Sequence, residues 1–201
     1  MDALPLIAAA AGLGWASGMR LYAVVFFLGV LHHLGIYELP ATLQPLAHPV
    51  VMPVAGLLFV VEFLADKVPG VDTLWDAVHT FIRIPAGALL AAGAVAGADP
   101  GLAVAAGLMG GALAAGTHFT KSGARALINT SPEPLSNWVA SFSEDAVSML
   151  GLYAALKYPL LFLVLLVLFV VLAIWLVPRI WRGLKHVVAA IGRLLGRSAS
   201  P

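Results

Sequence analysis

Cysteine is absent from these 201 residues, and charge is scarce: 10% of the chain is Asp, Glu, Lys or Arg, against roughly a quarter in a soluble domain. Without cysteine there are no disulfides, no thiolate nucleophile and no Cys-based metal site. The low charge excludes an ordinary soluble globular domain; the net charge of +1 itself says nothing about nucleic acid, which is not among the expected partners. The start, "MDALPLIAAAAG", lacks the basic segment of a cleaved signal peptide and reads as the beginning of a retained span.

Hydrophobic residues make up 61% of the chain, and the mean hydropathy is +0.98. With several apolar runs of about twenty residues, this composition is that of an all-α integral membrane protein with multiple spans. About six transmembrane helices are expected, over residues 4–35, 49–67, 71–97, 101–120, 136–156 and 159–178. The first is too long for one straight crossing, and Gly14, Ser17 and Gly18 place an expected break near 14–18. The third carries "RIPAG", so a second break is expected near 84–87, where Pro85 removes a backbone donor. Broken spans point to a cavity, because freed backbone groups need protein or water partners.

Lysine and arginine set the expected orientation. Arg179, Arg182, Lys185, Arg193 and Arg197 follow the last span, whereas residues 36–48 and 98–100 contain neither residue type. Six spans then give a multi-pass protein of the cytoplasmic (inner) membrane with both termini cytoplasmic. Residues 1–178 read as one transmembrane domain and 179–201 as a basic tail. That tail is an amphipathic helix candidate: Ile180, Leu184, Val187, Ile191 and Leu194 on one face, Arg179, Arg182, His186, Arg193 and Arg197 on the other. Anionic lipids are its expected partners, and a homo-oligomer is compatible with the sequence.

Against this background, "VDTLWDAVHTFIR" places Asp72, Asp76, His79 and Arg83 on one narrow helical stripe, with Leu74, Val78, Phe81 and Ile82 opposite. Ionisable groups at membrane depth are costly and need partners. Glu62 and Asp66, one turn apart just before the Pro69-Gly70 turn, could converge with the stripe, with Arg20 and Asn137 at its border. Two carboxylates and an imidazole at Asp72, Asp76 and His79 could hold a divalent metal ion as cofactor. They equally suit a proton relay or a neutralising network that fixes helix packing.

A second polar region, "THFTKSGARALINTSPEPLSNWVASFSED", supplies His118, Lys121, Arg125, Glu133, Ser141 and Glu144. Asn137, Ser141, Glu144 and Ser148 repeat the spacing of the first stripe, which suggests a degenerate internal repeat. His32 and His33 read as interfacial residues, and His48 as an outer-loop residue with no evident partner.

Together "SGMRLY", "EFLADKVPGVDTLWDAVHTFIRIPAG" and "AGTHFTKSGARALINTSPEPLSNWVASFSED" resemble the bacterial membrane family described as domain of unknown function 4126. The likeness covers roughly residues 10–156 and leaves out the final span and the tail. It implies a bacterial membrane fold and assigns no activity.

Three functions fit these residues. The first is a transporter or channel whose central acidic and histidine site serves a cation or protons. The second is an integral membrane enzyme, a metal-dependent hydrolase acting on a lipid headgroup, with Lys121 and Arg125 holding phosphate. The third is a non-catalytic assembly partner. No nucleophile–base pair is recognisable, and intramembrane charges with broken helices favour transport.

Overall fold

The computed structural model describes residues 3–68, 70–129 and 134–196. Its α-helices are α1 (Ala3–His33), α2 (Val51–Ala65), α3 (Val71–Val95), α4 (Pro100–Ile128), α5 (Pro134–Lys157) and α6 (Pro159–Gly196). A 3-10 turn at Gln44–Ala47 precedes α2, and no strand occurs among the described residues. Among the described residues four helices are long and apolar enough to cross a membrane: α1, α3, α4 and residues Pro159–Gly183 of α6. Burial agrees. Phe81, Leu108 and Ile174 are 81%, 73% and 70% exposed, while Arg20, Glu62, Asp66 and Arg83 are 0% exposed. Greasy side chains outside and charges inside is the arrangement a bilayer demands.

Local chemistry sets the helix ends. Gly35, with a φ of 66°, closes α1: the Ile36 amide donates to Leu31 O and the Gly35 amide to His32 O, both at 3.0 Å. Only glycine takes that left-handed position freely, and the paired bonds satisfy the last carbonyls. The carboxylate of Asp99 caps α4 by accepting from the Leu102 amide at 2.9 Å, with Pro100 opening the helix.

The path of α1 decides the topology. At Arg20 the backbone leaves the helical region (φ −145°, ψ 71°), and the direction reverses there. Before the break, Ile7 and Ala10 lie beside Val95 and Leu102, Gly14 lies on Gly110, and Gly18 on Ala114. After it, Tyr22 meets His79, Val25 lies with Ala86 and Leu89, and Gly29 reaches Leu46 and Met52. Leu43 in turn packs on Gly93. The first arm therefore descends against α3, and the second climbs beside it to the end it came from. We call that the upper end; the turn between α2 and α3 marks the lower one.

The first arm sits close to its neighbours because both sides are small. A Cβ on Gly14 would strike the Gly110 backbone, and one on Gly18 the Ala114 backbone. Helices α2, α4 and α6 then descend, while α3 and α5 ascend. Gly151 and Ala155 of α5 meet Trp15 and Gly12, and Ile180 of α6 meets Gly123 near the lower end.

Three expectations change. The break in the first span falls at Arg20, just past residues 14–18, because Gly14 and Gly18 are used for close packing. Helix α3 runs unbroken through Pro85; the carbonyl four residues back belongs to Phe81, on the exposed outer face, where the lost bond and ring can be accommodated. Since α1 turns back, residue 3 and the end of α6 lie at opposite ends of the bundle, in place of two termini on one side. Helix α6 also continues without interruption past residue 178, with Pro178 inside it. Most side chains of the expected amphipathic faces, Leu184, His186, Val187, Ile191, Arg193, Leu194 and Arg197, lie outside those described.

Because the chain lacks cysteine, the path is open to a direct check. Leu4→Cys and Glu38→Cys should react with an impermeant maleimide from the same side of a vesicle, and Lys185→Cys from the other. Labelling of Leu4→Cys and Lys185→Cys from one side would contradict the reversal at Arg20.

Candidate functional site

The break in α1 delivers Arg20 to the centre of the bundle, where the end of α2 and α5 supply carboxylates. Its guanidinium pairs with Asp66 through Nη1. Nη2 lies 3.1 Å from Glu144, Nε lies 2.7 Å from Asp145, and Glu62 is 3.9 Å away. Nη2 also donates to the carbonyl and hydroxyl of Ser141, both at 3.2 Å. Arg83, on α3, pairs with Glu62 through Nη2 and with Asp76 at 2.8 Å through Nη1.

Helix α4 adds two more cations. Lys121 Nζ lies 3.5 Å from both Asp66 and Asp76 and 3.7 Å from Glu144. Arg125 grips Glu144 with two bonds, Nε at 2.8 Å and Nη2 at 3.0 Å. It also donates from Nη2 to Asp66 Oδ2 at 3.3 Å and from Nη1 to Asn137 Oδ1 at 3.3 Å. Among the described residues the network thus holds four cations, Arg20, Arg83, Lys121 and Arg125, and five carboxylates, Glu62, Asp66, Asp76, Glu144 and Asp145. Isolated charges could not be buried this deeply; paired and hydrogen-bonded ones can.

The two histidines differ in what they can do. Arg83 Nη1 can only donate, so His118 Nδ1, 3.1 Å away, accepts. His118 Nε2 then carries the hydrogen and donates to Thr80 Oγ1 at 2.7 Å, which donates to the Asp76 carbonyl at 2.9 Å. That chain fixes His118 as one neutral tautomer. His79 Nδ1 donates to the Trp75 carbonyl at 2.7 Å, and its Nε2 faces the Tyr22 hydroxyl at 3.0 Å. A hydroxyl donates or accepts, so His79 can take up a proton at Nε2 while only the Tyr22 hydrogen turns.

Of the residues singled out in the sequence, the fold brings together Arg20, Glu62, Asp66, Asp76, Arg83, His118, Lys121, Arg125, Asn137, Ser141 and Glu144. His79 stands at the edge, stacked on Trp75 with ring centroids 4.0 Å apart. Asp72 stands apart toward the lower end and accepts from Asn129 Nδ2 at 3.0 Å. Glu133 lies outside the described residues. The stripe faces inward, whereas Leu74, Val78, Phe81 and Ile82 are exposed.

The arrangement of Asp72, Asp76 and His79 lends the metal expectation no support. Asp72 Oδ2 goes to Asn129, Asp76 Oδ1 to Arg83 and Lys121, and the His79 nitrogens to Trp75 and Tyr22, while Asp72 Oδ1 and Asp76 Oδ2 are buried without a hydrogen-bond partner. Among the described residues no group of three or more His, Asp or Glu is arranged to hold a metal ion. Sequence reasoning passed over Asp145, Tyr22, Thr80 and Asn129. Asp145 follows Glu144 in the same polar segment and Tyr22 closes "SGMRLY", but neither has a spacing signal of its own.

One face of the network borders open space. A cavity of about 200 Å³ between α3 and α4 is lined by Thr73, Asp76, Thr80, His118, Ser122 and Arg125. One oxygen on each of Glu62, Asp66 and Asp76 (Oε2, Oδ1 and Oδ2) is buried without a hydrogen-bond partner. Buried carboxylate oxygens are seldom left bare, and such atoms mark places where a proton, water or ion is received.

The family model for the domain of unknown function DUF4126 matches residues 7–179. The chain belongs to this family. The match begins in the first arm of α1 and extends through the apolar part of α6, so the final span, expected to fall outside the family, lies within it. Neither the curated proteins nor the solved structures contain a significant match. For this DUF4126 member, the chemistry therefore rests on the network itself.

Removing the central cation tests how far the bundle depends on it. Arg20→Met leaves the surrounding carboxylates unpaired and should cost about 3–5 kcal/mol of stability, read by thermal unfolding in detergent. Arg20→Lys keeps the charge but loses the fork and should recover less than half of that loss. Full recovery with lysine would show that the fork geometry is unimportant.

Proposed function

We propose that this protein is a membrane transporter or channel that passes protons or a small cation through the network around Arg20. The observation that carries the reading is the set of central carboxylates, Glu62, Asp66 and Asp76. Each has one oxygen held by a cation and the other buried and bare. Asp76 also lines the cavity between α3 and α4, which offers a polar approach from the lower half of the bundle. A helix broken at an ionisable residue inside the membrane supports the same reading, since discontinuous helices at such depth characterise transport sites.

Orientation follows from charge. Lys67, Arg179, Arg182 and Lys185 belong to the lower end, and the loop from 34 to 50 has no Lys or Arg. The lower end is then cytoplasmic and residue 3 lies on the outer side. The expected setting is the bacterial inner membrane, with anionic lipid at the basic end of α6.

The near balance of charge favours one competing reading, a network that only docks helices. It disfavours the lipid-hydrolase reading, because Lys121 and Arg125 are already engaged by Asp66 and Glu144 and are not free for a phosphate.

Flux separates the two surviving readings. Proteoliposomes carrying the natural chain should dissipate an imposed pH or cation gradient faster than empty vesicles. Asp76→Asn, which keeps shape but removes charge, should lower that rate at least tenfold. His79→Gln should retain flux while flattening its pH dependence. If the natural chain never exceeds empty vesicles for protons or a panel of cations, the network is structural and the transport reading fails.

A further inference from the structure

Lys67, at the lower end beside the network, is held by three aromatic rings, whereas Arg179 and Lys185 each lie over one. Its ammonium lies 2.9 Å from the centroid of Phe63, 4.9 Å from that of Trp138 and 5.2 Å from that of Phe142. It donates to the Phe63 carbonyl at 2.8 Å and to Ser141 Oγ at 3.4 Å. Lysines near a membrane edge ordinarily extend their ammonium toward the headgroups and water. This one folds inward and is only 9% exposed, although the ammonium is a strongly hydrated group on a flexible four-carbon stem. Three aromatic faces around one cation form a box of the kind that selects ammonium groups over other ligands.

The box has an outer door. Trp138 and Phe142 are 45% and 54% exposed, so two of the three walls face the surroundings of the bundle between α2 and α5. Its inner side adjoins Ser141, whose hydroxyl also receives Arg20. A cation in the box is therefore one hydroxyl from the central ion pairs.

We propose that Phe63, Trp138 and Phe142 form a binding site for an alkylammonium ion, kept closed by the chain's own Lys67. On the transport reading above, on which this last step rests, amine-bearing cations are the substrate class. Lys67 acts as a tethered occupant. An incoming ammonium displaces it outward, and its flexible stem lets it return. A free amine and the headgroup of phosphatidylethanolamine share the required chemistry.

The test is binding, which needs no flux and so fails independently of the transport reading. Radiolabelled tetramethylammonium is titrated onto the purified full-length chain in detergent. Lys67→Met, which empties the box of charge, should bind at least tenfold tighter than the natural chain, and adding Trp138→Leu should abolish the gain. A second measurement uses the natural chain alone: tetramethylammonium should increase, saturably, the labelling of Lys67 by an amine-reactive reagent, read by peptide mass spectrometry, and sodium should not. In nanodiscs, loss of tetramethylammonium binding to Lys67→Met with phosphatidylethanolamine but not phosphatidylglycerol assigns the lipid as the source. Equal binding in both assigns a free amine. If Lys67→Met is folded yet binds no better than the natural chain, or if Lys67 labelling is indifferent to tetramethylammonium, the proposal is wrong.

Discussion

A guanidinium in the middle of a helical bundle has to be neutralised where it stands, because its charge cannot be left unpaired in a low-dielectric interior. Arg20 meets that demand by drawing on residues from two directions: Glu62 and Asp66 at the end of α2, and Ser141, Glu144 and Asp145 on α5. Its backbone departs from the helix at the same residue. The break and the ion pairs support each other: without the reversal the side chain could not reach both partners, and without the partners nothing would hold the reversal. In the rest of the lower half, Arg83, Lys121 and Arg125 pair with the same carboxylates and leave one oxygen on each of Glu62, Asp66 and Asp76 bare.

The upper half of the bundle answers to a different constraint. There eight of the eleven residues from 8 to 18 in the first arm of α1 are alanine or glycine, and the arm presses its backbone against α4 at Gly110 and Ala114. With no driving force from water inside a bilayer, close packing of small residues supplies the cohesion. Polarity is therefore segregated along the bundle: the cavity beside Asp76 in the lower half is lined by polar and charged side chains, whereas the cavities in the upper half, of about 550 and 230 Å³, are lined almost wholly by apolar ones.

Much of this was legible from residue spacing. The stripe from Asp72 to Arg83 faces inward as its periodicity requires, because a helix has few ways to hide four polar side chains at once. The elements that sequence misplaced are those governed by partners distant in the chain. Gly14 and Gly18 look like hinges until Gly110 and Ala114 arrive to use their missing side chains. Pro85 looks like a break until the exposed position of Phe81 shows where the lost bond falls. Asp72 belongs with Asp76 and His79 by spacing, yet Asn129, 57 residues away, holds its Oδ2 apart from the central network. Span counting also misleads, since α1 is long enough to cross and yet turns back; length cannot reveal a reversal.

Charge counting ties the network to its edge. Around Arg20 the four cations face five carboxylates, and a surplus buried negative charge is costly. The ammonium of Lys67, held over Phe63 and touching Ser141, brings the numbers level without entering the central ion pairs. It is the only one of the five cations not in a salt bridge with a carboxylate among the described residues, so it is the one that can leave at least cost. Whatever replaces it must itself carry a positive charge, or the surplus returns. Exchange of one monovalent cation for another at that position leaves the electrostatics of the core unchanged. On the proposal above, the balanced arrangement would confine exchange to the edge, where the aromatic walls substitute for water, and leave the Arg20 centre fixed.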